Sequence, residues 1–125
     1  MSAVRTPYCI VIRRELSVEE KALLSYLLKR EAPDRLADLV NLKVVARCGC
    51  GKCPTVLFGT SLSSEPITSR SPSKEIASYR GRNAEGVEVG VVLSERKGQL
   101  AELEAWAPVG GDILSWPPAS ALEKM

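Results

Sequence analysis

The stretch Val87-Glu88-Val89-Gly90-Val91-Val92-Leu93-Ser94 decides how the rest of the chain is read. Val87, Val89, Val91 and Leu93 fall on one side of an extended backbone, and Glu88, Gly90, Val92 and Ser94 on the other. That period of two is the mark of a strand with one face covered. Downstream, Gly98 closes a turn. With Gly98 in the left-handed position of a three-residue loop, Leu93 faces Ala101, Val91 faces Leu103 and Val89 faces Ala105, an apolar face for helices to cover. Upstream, Asn83-Ala84-Glu85-Gly86 is a turn and Ile76 to Arg80 a further strand, so this part reads as an antiparallel meander. Pro108, Gly110 and Gly111 end it, and Ile113, Leu114 and Trp116 before Pro117-Pro118 read as a tail docked by its large side chains.

Thr60 to Lys74 is rich in serine, holds Pro66 and Pro72 and has no period, which predicts a mobile loop. Before it, Leu42, Val44 and Ala46 alternate with Lys43, Val45 and Arg47 as a strand, and Thr55 to Phe58 is its return. Gly49 to Lys52 is then a hairpin tip whose glycines permit positive φ. Leu23, Leu24, Leu27 and Leu28 recur at helical spacing behind a capping box of Ser17 and Glu20, predicting a helix to about Arg30. Pro33 ends it, and Asp34 to Val40 reads as a shorter helix burying Leu36, Leu39 and Val40. Tyr8 to Ile12 suits a short strand or a packed extended segment. The expected fold is one α+β domain over 1–125, with two N-terminal helices on a mainly antiparallel sheet of four to five strands, a hairpin plus a meander.

A chain of 125 residues can bury one core without disulfides or metal. Seventeen Lys+Arg against fifteen Asp+Glu leave a charge of +2, too little for the field on which general nucleic-acid binding depends. With no histidine, the commonest general base and metal ligand are both missing. No apolar run of membrane-spanning length occurs, and Pro7, Arg13 and Arg14 interrupt what a signal peptide would keep apolar. A cytoplasmic, non-enzymatic protein is expected. In a reducing compartment its cysteines are thiols or metal ligands rather than bridges.

Three of the four cysteines fall in Cys48-Gly49-Cys50-Gly51-Lys52-Cys53-Pro54. Cys48, Cys50 and Cys53 on a glycine-bearing turn can converge on a soft ion such as zinc. A fourth ligand must come from Cys9, a carboxylate, water or a second molecule. Cys50-Gly51-Lys52-Cys53 is also a Cys-x-x-Cys, with Lys52 favouring a thiolate, but such redox motifs start a helix, and Pro54 with the β-branched run after it points to a strand. Small, partly buried cysteines that merely shape a tight hairpin are the plainer alternative.

Elsewhere the sequence offers surface. Glu102 and Glu104 with Glu88 could divide acid and base roles, yet they fit the solvated face of a half-covered sheet balanced by Arg80 or Lys74. Arg80-Gly81-Arg82 with Lys74 and Arg70 forms the densest basic patch, suited to an acidic partner or phosphate. The serines of 60–74 have no activating base, and Trp106 and Trp116 read as packing anchors.

Taken together, Leu16-Ser17-x-Glu19-Glu20, Cys48-Gly49-Cys50-Gly51, Asn83-x-x-Gly86-Val87 and Gly98-x-Leu100-x-x-Leu103-Glu104 resemble short uncharacterised bacterial proteins with the same order of elements. Their turn is similar to Cys-Gly-Cys-Gly-Cys-Pro, whereas here Lys52 stands between Gly51 and Cys53. The resemblance implies a fold and no established activity. The expected role is binding another protein, as a small immunity- or antitoxin-like inhibitor does, with the 60–74 loop, the basic patch and the cysteine tip as the surface. The rival expectation is a zinc or thiol module built on Cys48, Cys50 and Cys53.

Overall fold

The computed structural model describes residues 9–66 and 73–125. Among these described residues seven strands form a single sheet: β1 (Cys9–Glu15), β2 (Lys43–Cys48), β3 (Val56–Gly59), β4 (Lys74–Arg82), β5 (Glu88–Arg96), β6 (Gln99–Trp106) and β7 (Glu123–Lys124), in the order β1-β2-β3-β6-β5-β4-β7. Every neighbouring pair is antiparallel. The fold is α+β as expected, but mostly sheet, with seven strands in place of four to five. The extra strands are edges. β1 buries only Cys9 fully and so shows no clean alternation, while the two residues of β7 pair with Tyr79 and Arg80 once the tail has docked.

One α-helix, α1 (Val18–Glu31), covers one face of the sheet. Its capping box forms as expected: Glu20 N–H donates to Ser17 Oγ at 3.1 Å and Ser17 N–H to Glu20 Oε1 at 2.8 Å. Arg14 grips the same carboxylate at 2.8 and 2.9 Å, pairing a charge that would otherwise be costly to bury. Leu23, Leu24, Leu27 and Leu28 are buried in one core with Val44, Val56, Phe58, Leu93 and Leu103; each such side chain contributes about 1.5–3 kcal/mol. The expected second helix is instead a 3₁₀ segment, Pro33–Asn41. At three residues per turn Leu36 and Leu39 align, but Val40 steps a third of a turn away. Leu36 and Leu39 pack against the core and Val40 is exposed.

The central meander keeps its predicted faces but shifts its register. Lys97 (φ 53°) and Gly98 (φ 77°) make a two-residue turn of the kind that suits hairpins, and Arg96 pairs with Gln99. Continued unbroken, that register would set Leu93 opposite Glu102 and put apolar and charged side chains on one face. A bulge between Ser94 and Glu95 corrects it, so Leu93 pairs with Leu103 and Val91 with Ala105. The expected Leu93–Ala101 pairing is therefore two residues out, which leaves the parity intact. A second bulge, between Val44 and Ala46, overturns the expected alternation of β2. Val44 pairs with Phe58 under α1, whereas Ala46 pairs with Leu57 on the opposite face, where both pack with Cys9.

The tail docks through Ile113 and Trp116, both buried, while Leu114 is exposed. Of the serine-rich stretch, residues 67–72 lie outside those described; Leu62 and Ser64 are tied down, their carbonyls each accepting from Arg13 Nη1 at 2.7 Å. Among the described residues, no helix is long and apolar enough to cross a membrane.

Candidate functional site

The β2–β3 hairpin closes where Cys48 N–H donates to the Thr55 carbonyl at 3.1 Å, and Gly51 N–H turns back onto the Cys48 carbonyl at 3.1 Å. Gly51 sits at φ 72°, a conformation costly for any residue with a Cβ. Thr55, fully buried, fixes the returning leg: its Oγ1 accepts from Ala105 N–H at 2.9 Å and so ties the hairpin to β6. On the other leg Arg47 Nη2 donates to the Cys53 carbonyl at 3.2 Å. Sequence reasoning missed both of these supports, since a threonine in a strand and a charge in an alternating run carry no signal of what they will hold.

This frame brings the thiols of Cys48, Cys50 and Cys53 together, all within 4.8 Å of one another. Cys50 Sγ and Cys53 Sγ are 3.4 Å apart. Cys50 is exposed and the other two half-buried. The backbone N–H groups of Lys52 and Cys53 both donate to Cys50 Sγ, each at 3.3 Å. These two donors, Cys53 first, pull the Cys50 thiol down to about 6, against the smaller opposing effect of burial. It is the amide of Lys52, rather than its ammonium, that acts on the sulfur. Burial does the reverse at Cys48 and, helped by hydrogen bonds that its thiol donates to the neighbouring sulfurs, pushes it up to about 11. Three converging sulfurs, one of them stabilised as a thiolate, are a set that a soft cation can occupy in place of their remaining protons. Zinc with bonds of about 2.3 Å holds tetrahedral thiolates roughly 3.8 Å apart, a value between the 3.4 Å of Cys50 and Cys53 and the 4.8 Å that encloses all three sulfurs.

Cys9 does not join the group. It lies opposite Cys48 in the β1–β2 register, but its sulfur is outside the trio, packed with Ala46 and Leu57, where burial raises its pKa. Beside the turn runs an open groove of about 430 Å³, lined by Cys50, Lys52, Cys53, Trp106, Asp112 and Ile113 among others. Trp106, expected as a packing anchor, lies against Gly90 on the sheet face opposite α1 and is 38% exposed.

The remaining candidates stay apart. Lys74 and Arg82 stand at opposite ends of β4, roughly 27 Å along an extended strand, so they make no common patch. Arg80 and Arg82 line a cavity that also holds Glu88 and Glu123, with Arg80 3.8 Å from Glu88 and Arg82 donating to the Gly86 carbonyl at 2.9 Å. Arg70 lies outside the described residues. Glu102 pairs in register with Ser94 and Leu57; burial and then the charge of nearby Glu104 raise its pKa.

Set against known proteins, the chain matches no family model, no curated protein and no solved structure, and its site is read from its own chemistry.

Proposed function

We propose that the cysteine turn is a zinc site, holding the ion through Cys48, Cys50 and Cys53, and that the stiffened tip presents a surface to another protein. The observation that carries this is the convergence of three sulfurs within 4.8 Å, with two backbone amides aimed at one of them. Amide donors offset the excess negative charge of a thiolate set, as the surroundings of metal-bound sulfur do. Among the described residues no fourth ligand lies inside the group, which leaves the last place to water or to a side chain of the partner. A protein partner is favoured by Trp106, a large aromatic left partly exposed on the groove that Cys50 and Cys53 line. With metal bound the turn acts by binding alone, in a reducing compartment such as the cytoplasm, where the thiols stay available.

Elemental analysis of untagged protein purified without chelator tests the reading. About one zinc per chain is expected, lost in Cys50→Ser. Absence of metal, with Cys48, Cys50 and Cys53 freely reactive in the folded protein, would overturn it.

A further inference from the structure

The Cys-x-x-Cys of this turn lacks the helix start at which redox pairs usually sit, but the turn supplies the same ingredients. Cys50 Sγ is exposed, accepts two backbone N–H bonds, and has a second thiol 3.4 Å away. A helix N-terminus would offer the attacking sulfur the same kind of donor. Closing 3.4 Å to a bond of about 2.05 Å is a local movement within one turn. The groove lined by Trp106, Asp112 and Ile113 leaves an approach to both sulfurs.

We infer that the metal-free turn is a dithiol that reduces low-molecular-weight disulfides by exchange, with Cys50 as the attacking sulfur and Cys53 as the resolving one. The Cys50 thiolate attacks one sulfur of the substrate R–S–S–R, whose S–S bond breaks and releases the first RS⁻. A mixed disulfide Cys50–S–S–R remains. Cys53 gives its proton to water and attacks Cys50 Sγ, expelling the second RS⁻. Two electrons have passed to the substrate, which leaves as two thiolates that take protons from water, and the turn ends as a Cys50–Cys53 disulfide. The disulfide uses two of the three sulfurs proposed for zinc, so metal binding and oxidation exclude each other. The exchange itself does not depend on the zinc reading.

Reduced, chelator-treated full-length protein incubated with oxidised glutathione, followed by intact mass and peptide mapping, gives the test. Wild-type protein should become lighter by two hydrogen atoms, retain no glutathione and map its disulfide to Cys50–Cys53. Cys53→Ser should retain one glutathione on Cys50, and Cys50→Ser should slow the reaction at least about tenfold. A stable glutathione adduct on the wild type, or a disulfide that maps to Cys48, would overturn the proposal; because that readout is taken on the native chain, it does not depend on any variant folding. Exchange in a protein that never binds zinc would sink the metal reading alone, and zinc binding with a persistent mixed disulfide would sink the exchange alone.

Discussion

The β5–β6 hairpin turns within Lys97 and Gly98, while the β2–β3 hairpin runs through Gly49 to Pro54 before its strands pair again. The short turn serves the core: its two left-handed residues and the bulge at Ser94/Glu95 bring Leu93 against Leu103. The long turn does little for the core. Its amides converge on sulfur, and its legs are held by the Thr55 bond to β6 and by Arg47 on the Cys53 carbonyl. One hairpin puts its specificity into register and the other into chemistry, and the two should respond differently to mutation.

The largest effect belongs to the short hairpin. Leu103, fully buried opposite Leu93, should cost about 2–5 kcal/mol when cut to alanine, by lost burial plus the cavity left behind. Urea unfolding reads this directly, and a loss below about 1 kcal/mol would break the idea that this pair anchors the sheet. A smaller effect is expected at Gly90→Ala. A Cβ there would overlap the Trp106 indole, so the ring must move at about 1–3 kcal/mol, with a change in tryptophan emission. Unchanged stability and emission would mean that Trp106 is not seated on that glycine.

At the cysteine turn the expected change is one of reactivity, with stability left as it is. Because the Lys52 and Cys53 amides favour the Cys50 thiolate, its fraction should rise as pH passes through about 6 in the metal-free protein, well below the usual thiol value of about 8.5. Alkylation followed by peptide mapping measures the midpoint at Cys50. A midpoint at or above the ordinary thiol value would remove the role given to those two amides and sharpen the case for a turn that is only structural.

How far these features are legible in sequence follows from the same contrast. The alternation of Val89, Val91 and Leu93 and the capping box of Ser17 and Glu20 rest on local periods and local hydrogen bonds, and they appear in the structure as read. Register does not rest on local pattern. Two bulges, at Ser94/Glu95 and at Val44/Ala46, are set by how neighbouring strands pair, and the second moves Ala46 to the face away from α1. The count of strands failed for a related reason: β1 and β7 are edges, paired on one side only, and present no buried stripe to read. The segment after Pro33 misled because three-residue and 3.6-residue periods differ by little over two turns, until Val40 is reached. At the site, six residues of sequence were enough to draw Cys48, Cys50 and Cys53 together, but nothing in them could reveal that Cys9, though opposite Cys48, packs with Ala46 and Leu57 instead. Nor could spacing show that the backbone of Lys52, in place of its charge, acts on Cys50.

Titration of the reduced, metal-free protein with cobalt(II), followed by absorption, tests the zinc proposal most directly, because cobalt reports both the sulfur ligands and the geometry that zinc would have. The expected result is a thiolate-to-metal charge-transfer band with tetrahedral visible absorption, saturating near about one equivalent and displaced by zinc. A spectrum that stays that of hydrated cobalt throughout the titration would contradict it.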